Sequence, residues 1–328
     1  MTSRADEWIL RAANAWVRLT KPGLVRACRR HFGSLPDFAR PRGHDALMQW
    51  RKVFDRNPLF VTFCDKLAAR DWASARVPAL DLPELIWTGS SLEVLPPGLP
   101  EDDQVLKVNS GSGSNYFPGR ERWDDVTLRK RFRHWLRWPR RGPAEWAYGR
   151  VPRRLVLERL VADPSELIEL TFRCQDGQIA SAFIAVNWKT PAARGCYLTV
   201  DGAAFRPEDA DVAAQLVRPE PFERAAAMAR QLGRDLDHIR VDFYLKGEAI
   251  FFGELTAYSS SGLGDEEQVG VGQLIERSWL AALEKSWFLS TPQPWPMSLY
   301  QNAFRRWLVV RRGELSGAPA ATGEARHW

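Results

Sequence analysis

The sequence predicts an α+β protein, helical at its start and rich in antiparallel strands further on. Apolar residues recur at helical spacing over 5–32, where Trp8, Ile9, Ala12, Trp16, Val17 and Leu19 mark one pattern. From Leu155 onward, short alternating stretches are separated by turn signals, among them the hairpin dipeptide Asp176-Gly177. The length, 328 residues, suits two or three lobes built around more than one core.

Each element follows in order. Arg11 and Arg18 interrupt the first apolar pattern, giving a basic amphipathic helix. Such a helix packs on its own protein or lies on a membrane surface. Residues 34–60 are punctuated by Pro and Gly, with a short helical piece over Ala46–Phe54. Asp65 is placed as N-cap of a helix through Lys66, Leu67, Arg70 and Trp72 that stops before Pro78. Leu85–Trp87 and Val105–Val108 read as short strands around a Pro-rich loop. The run Asn109–Asn115 holds no large side chain, so it reads as a mobile polar loop with accessible backbone donors. Over 124–138, Leu128, Phe132, Trp135 and Leu136 share one helical face, with Arg129, Lys130, Arg133 and Arg137 largely off it, and Pro139 ends the helix. Strands follow at Leu155–Leu160, Leu167–Cys174 and Ile179–Asn187. A helix is framed by Pro219 at its first turn and Gly233 at its end. Two more strands, Ile239–Leu245 and Ala249–Ala257, meet around Gly247, and a helix from about Val271 to Trp287 closes the regular part. Gly313–Trp328 has no apolar period and is expected to be loose. The resulting division is a helical extension (1–60), a first lobe (61–150), a second lobe (151–290) and a C-terminal tail (291–328).

Several function classes are set aside by composition. No apolar run is long enough for a membrane span. Arg4, Asp6, Glu7 and Arg11 break any signal-peptide core. The cytoplasm is therefore the expected location, with a peripheral place on the inner face of the membrane as the alternative. Cys28, Cys64, Cys174 and Cys196 form no C-x-x-C pair and read as reduced, buried thiols. The five histidines are scattered, so no zinc site is expected. A net charge of +6 allows anionic partners without choosing among them. The basic run from Arg129 to Arg141 is interleaved with aromatics, but these fall on the inward stripe. A solvated basic face, or one that draws in an acidic polymer, is favoured over nucleic-acid binding.

The chemistry concentrates in the last predicted hairpin. Arg240, Asp242 and Tyr244 share one face of their strand, and Ile239, Val241, Phe243 and Leu245 the other. With a three-residue turn at Lys246-Gly247-Glu248, Arg240 falls opposite Glu254 and Asp242 opposite Phe252. Asp242, Glu254, Thr256 and Arg240 then look out of one face. Two carboxylates beside a hydroxyl suit magnesium, and the same spacing also suits a structural Arg240–Glu254 ion pair. Upstream, Lys107 ends a strand just before Ser110, Gly111, Ser112 and Gly113. A lysine followed by a Gly/Ser loop suits phosphate binding, though it is no Walker A loop and a plain flexible connection would look the same.

The ordered set resembles the TupA-like branch of the ATP-grasp family. It runs Asp55-Arg56-Asn57-Pro58, then Asp65-Lys66 with Arg70-Asp71, then Leu106-Lys107-Val108-Asn109-Ser110-Gly111-Ser112-Gly113. Glu145-Trp146-Ala147-Tyr148, Val156-Leu157-Glu158, Arg240-Val241-Asp242-Phe243-Tyr244 and Phe252-Gly253-Glu254-Leu255-Thr256 complete it. The resemblance spans about Arg40 to Trp287. It implies an ATP-grasp fold, two α+β lobes sandwiching ATP. It implies that Lys66 and Lys107 hold phosphates under a lid at Ser110–Asn115. By the same resemblance, Glu158, with Leu160 close by, sits at the adenine end, and Glu169 stands where the family's ribose-binding acid usually is Asp. Asp242 and Glu254 would hold two magnesium ions beside Thr256, Arg240 would stabilise the reacting phosphate, and Lys189 or Arg194 would reach the γ-phosphate or the acceptor. Wider ATP-grasp ligases carry Asn where Thr256 stands, although the TupA-like branch shares the threonine. Thr171 replaces an expected lysine.

The implied activity is ATP- and Mg²⁺-dependent ligation of a carboxylate to an amine through an acyl phosphate. The implied partners are a uronic acid or acidic peptide and an amino acid, in making a cell-surface polymer. A kinase-like phosphotransferase would instead leave a phosphorylated acceptor. A non-catalytic nucleotide- or acidic-polymer-binding protein would have lost lysines or carboxylates that this chain keeps.

Overall fold

Proline at position 22 divides the first predicted helix in two. The computed structural model describes residues 3–138, 141–163, 166–187, 191–264 and 266–316. Helix α1 (Arg4–Thr20) begins at a capping box in which Ser3 and Asp6 exchange hydrogen bonds. Helix α2 (Pro22–Phe32) takes Pro22 in its first turn and ends at left-handed Gly33. Trp8 and Leu19 of α1 face solvent, 72% and 81% exposed, so only part of the apolar pattern is a packing face. Among the described residues, no helix is long and apolar enough to cross a membrane.

Helix α3 (His44–Phe54) is buried on every side. Trp50 stacks on Phe304, and Phe54 lies against Phe288 and Tyr300. Arg51 is wholly buried. It donates to Asp237 at 2.7 Å and to the carbonyls of His238 and Ala257. Helices α4 (Leu59–Phe63) and α5 (Lys66–Arg76) follow, with Asp65 capping α5 as its side chain predicts.

The first lobe holds β1 (Leu85–Gly89), β2 (Gln104–Val108), β3 (Asn115–Tyr116), α6 (Asp125–Arg137) and β4 (Leu155–Arg159). Its sheet runs β1-β4-β2-β3, antiparallel throughout. The boundary expected at residue 150 is therefore corrected: β4 pairs with β2 and belongs to the first lobe. Leu106, Val108, Leu155 and Leu157 turn into a small core with Phe132 of α6, and alternation sends Lys107 and Glu158 to the other face.

The second lobe comprises β5 (Ile168–Gln175), β6 (Gln178–Val186), β7 (Arg194–Leu198), α7 (Ala210–Leu216), α8 (Pro219–Gly233), β8 (Ile239–Lys246) and β9 (Ala249–Thr256). Its sheet runs β7-β6-β5-β8-β9, and Phe172, Val241 and Phe243 enter the main core on the α8 side. Sequence periodicity did not reveal β7 or α7, both short. Helices α9 (Glu266–Val269), α10 (Val271–Ala282), α11 (Trp287–Ser290) and α12 (Met297–Ser316) complete the chain. The expected tail is corrected as far as Ser316. Helix α12 buries Tyr300, Phe304 and Trp307, and Arg306 grips Asp6 of α1. Residues 317–328 lie outside the described residues.

The hairpin register also differs from expectation. The turn is two residues, Gly247-Glu248, and a bulge at Gly253 shifts the pairing. Asp242 stands directly opposite Glu254, and Arg240 opposite Thr256. A side chain at Gly253 would come within 2.8 Å of the Asp242 carbonyl oxygen, so glycine permits the bulge.

Removing one partner of a buried ion pair strands the other. Asp237→Ala is expected to destabilise the protein by about 3–5 kcal/mol, read from the urea midpoint. A change below about 1 kcal/mol would show that Arg51 is solvated by its backbone carbonyls alone.

Candidate active site

Lysines from one lobe and acids from the other face each other across a single cleft of about 1040 Å³. Its walls include Lys66, Lys107, Gly111, Ser112 and Gly113 on one side and Glu169, Asp242, Glu254 and Thr256 on the other.

Lys66 is the first residue of α5, and the cap that starts the helix also anchors the loop. Asp65 accepts from the Leu67 amide at 3.0 Å and from Asn109 Nδ2 at 2.8 Å. Asn109 is fully buried and reaches Pro152 and Arg154 as well, tying the helix, the Gly/Ser loop and the approach to β4 together. Lys66 Nζ donates to the Gly111 carbonyl at 3.0 Å and lies 4.0 Å from Glu254, which links the lobes. Burial pulls Lys66 below its ordinary pKa and outweighs the attraction of Glu254.

Lys107 pairs with Glu158, and Arg70 pairs with the other oxygen of the same carboxylate at 3.2 Å. Glu158 is thus the counter-ion of two cations and, like Ser110 and Leu160, is not among the residues lining the cleft. Ser110 is wholly buried, so the loop presents Gly111, Ser112 and Gly113 to the cleft.

The floor is the inner face of the second sheet. Register places its residues in rows across the strands: Glu169 beside Tyr244, then Thr171, Asp242 and Glu254, then Arg173, Arg240 and Thr256. Arg240 holds the two acids. Its Nε donates to Asp242 Oδ1 at 2.9 Å, and its Nη2 reaches Asp242 Oδ2 at 2.6 Å and Glu254 Oε1 at 2.9 Å. Thr256 donates to Glu254 at 3.2 Å. Burial pushes the Asp242 carboxyl up against the pull of Arg240, and Glu254 adds to the rise. Two opposed carboxylates that already gather a cation fit the oxygen-ligand chemistry of magnesium.

A second cluster of ligand-bearing side chains is buried behind the cleft, and only its Glu266 is among the lining residues. His44, Asp45 and Glu266 bring ligand atoms within 4.8 Å of one another. Glu266 pairs with the Arg173 guanidinium at 2.7 Å, as Asp242 and Glu254 pair with Arg240.

One further expected residue falls elsewhere, and another is not described. Arg194 is corrected: it lies at the exposed start of β7, on Gln215, and does not line the cleft. Lys189 lies outside the described residues. Sequence reasoning named Arg70, one helical turn beyond Lys66, without giving it a role, and missed Arg173, which continues the alternation of Glu169 and Thr171 along β5. Both periodicities were available. Glu266 and Tyr258, contributed by loops and short turns, gave no such signal.

A two-lobed α+β fold with a helical region ahead of its sheets, closing on lysines and paired acids, defines an ATP-grasp ligase. The family model described as TupA-like ATPgrasp matches residues 46–274, and the chain belongs to that family. No protein of curated function matches it. Among solved structures, D-alanine–D-alanine ligase from Bacillus anthracis complexed with ATP is similar at 15% identity and TM-score 0.38, over 90% of this chain and 77% of that one. The Helicobacter pylori D-alanine–D-alanine ligase shares 11% identity at TM-score 0.40, over 76% and 66% of the two chains. An L-amino acid ligase from Bacillus licheniformis shares 13% at TM-score 0.38, over 77% and 54%.

Closing the bulge would turn Glu254 to the opposite face of β9. Gly253→Val is expected to weaken Mg²⁺-dependent nucleotide binding by about tenfold or more, measured by calorimetry. Unchanged affinity would show that the directly opposed register is not needed.

Proposed function

We propose that this protein uses ATP and Mg²⁺ to activate a carboxylate as an acyl phosphate and joins it to an amine as an amide. The observation that carries the reading is the Asp242–Arg240–Glu254 cluster facing Lys66 and the Gly/Ser loop across one cleft. Asp242 and Glu254 would hold magnesium. The metal, when bound, neutralises charge on the phosphates during transfer.

The remaining work falls to the chain's own groups. Lys66 and Lys107 bring positive charge to the loop side of the cleft, where phosphates would lie. Glu169 and Tyr244 bound the nucleotide end of the floor. Arg240, already fixed on two carboxylates, is positioned to stabilise charge on the reacting groups without reorganising. Gly111–Gly113, tethered through Lys66, can cover the cleft and keep water from the activated carboxyl.

For the finer identity, the reading is a uronic acid or acidic peptide joined to an amino acid during assembly of a cell-surface polymer. Family membership and the net charge of +6 support it. The place of action is proposed as the cytoplasm, where ATP is supplied. Exposed Trp8 and Leu19 beside Arg11 and Arg18 suit the inner membrane face.

The test pairs amino acids with uronic acids and acidic peptides, in the presence of ATP and Mg²⁺, and follows ADP and phosphate release. Pair-dependent release is expected, falling about a hundredfold or more in Asp242→Asn and Glu254→Gln. A phosphorylated acceptor without an amide would replace ligation by phosphotransfer. ATP binding that ignores both substitutions would remove the magnesium site.

A further inference from the structure

The row beyond the metal acids holds Arg173, whose ion pair with Glu266 the phosphate chemistry does not use. Glu169 and Tyr244 lie on one side of the Asp242–Glu254 row, and Arg173, Arg240 and Thr256 on the other. Consecutive rows are two residues, roughly 7 Å, apart along each strand. If the nucleotide approaches over Glu169, the substrate meeting its terminal phosphate comes from the Arg173 side.

Arg173 is 5% exposed, yet it is one of the residues lining the cleft. Its Nη2 donates to Glu266 Oε1 at 2.7 Å. Among the described residues, neither its Nε nor its Nη1 has a hydrogen-bond partner, and neither does Oε2 of Glu266. Tyr197 covers the guanidinium, its ring centroid 5.2 Å away. Gly264 leaves room for the carboxylate, since a Cβ there would stand 2.0 Å from Oε2. Burial pushes the Glu266 carboxyl up, but Arg173 and His44 outweigh it and keep the group below its ordinary range. The pair is therefore ionic.

Unsatisfied buried polar atoms carry a desolvation penalty. Here they occur on both members of one pair, at the wall of a cleft. Unused donors on Arg173 suit a carboxylate. The unused oxygen of Glu266 suits an ammonium. A ligand carrying both groups a few bonds apart would satisfy the pair at once. A carboxylate held there is not the one being activated, so such a ligand is the amine partner.

We propose that Arg173 and Glu266 form the recognition subsite for the amine substrate, binding it as a zwitterionic amino acid with its carboxylate on Arg173 and its ammonium on Oε2 of Glu266. The proposal rests on the ligase reading above. Entry requires the Tyr197 ring to shift from the guanidinium. Neither residue is given a role toward the nucleotide. Their role is to position the amine beside the Arg240 row.

The test measures thermal shifts of the full chain with alanine, glutamate and lysine and with their α-amides, each without ATP. At least one free amino acid should raise the melting temperature, and its α-amide, which lacks the carboxylate, should not. Arg173→Met and Glu266→Gln should lose that shift and keep the one given by MgATP. If a single variant fails to fold, the double variant Arg173→Met/Glu266→Leu, which leaves no buried charge alone, is read instead. No shift from any free amino acid, or a shift that survives Arg173→Met, would overturn the subsite. Amino-acid binding without pair-dependent ADP release would keep the subsite and remove the ligase reading. Release that Arg173→Met leaves unchanged would do the reverse.

Discussion

Two carboxylates stand directly opposite each other on the last two strands of a sheet, and like charges so placed repel. Asp242 and Glu254 are held there by Arg240, which bonds both. Much of the second lobe follows from keeping that arrangement. Without the bulge at Gly253, the two-residue turn would pair Asp242 with Gly253 and turn Glu254 into the apolar layer. The extra residue returns both acids to one face. What the geometry gains is a pair of carboxylates on one face, gathered by Arg240, with Glu254 within 4.0 Å of Lys66.

That site is stabilised from beneath by a helix of unusual burial. Arg51 on α3 satisfies the carbonyls at the start of β8 and just past β9, and its charge is met by Asp237. One turn away in space, Lys52 donates to the Ser261 carbonyl at 2.6 Å and Gln49 to Gly262 at 2.7 Å. Ser260 and Ser261 take left-handed backbone angles, φ 46° and 57°, which side chains other than glycine tolerate poorly. The bonds from α3 hold that loop against the cleft. The N-terminal region is thus part of the support for the site, and α12 packs it in place through the aromatic cluster around Trp50.

Across the cleft, the first lobe solves a related problem. Its cations find their partners within the chain. Glu158 meets Lys107 and Arg70, while Lys66 bonds its own loop and leans toward Glu254. Each lysine is thus fixed in position without a ligand. Preorganisation of this kind lowers the cost of binding, because the side chains need not be ordered again.

The local patterns were legible in the sequence because they depend on neighbours a few residues apart. Asp65 as a cap, the bounds of α8 at Pro219 and Gly233, and the alternation along β8 all depend on such short-range rules. The family resemblance was legible for the same reason, being a string of short motifs in fixed order. The hairpin face was read correctly but its register was not, since a three-residue turn and a two-residue turn followed by a bulge at Gly253 both bring Glu254 to the Asp242 face. What only the tertiary structure decided is partnership between distant charges. Arg51 finds Asp237, Arg173 finds Glu266, and Lys107 shares Glu158 with Arg70. Helix and strand periodicity tell which way a side chain points, whereas what it meets there depends on how whole elements pack, and no local rule contains that.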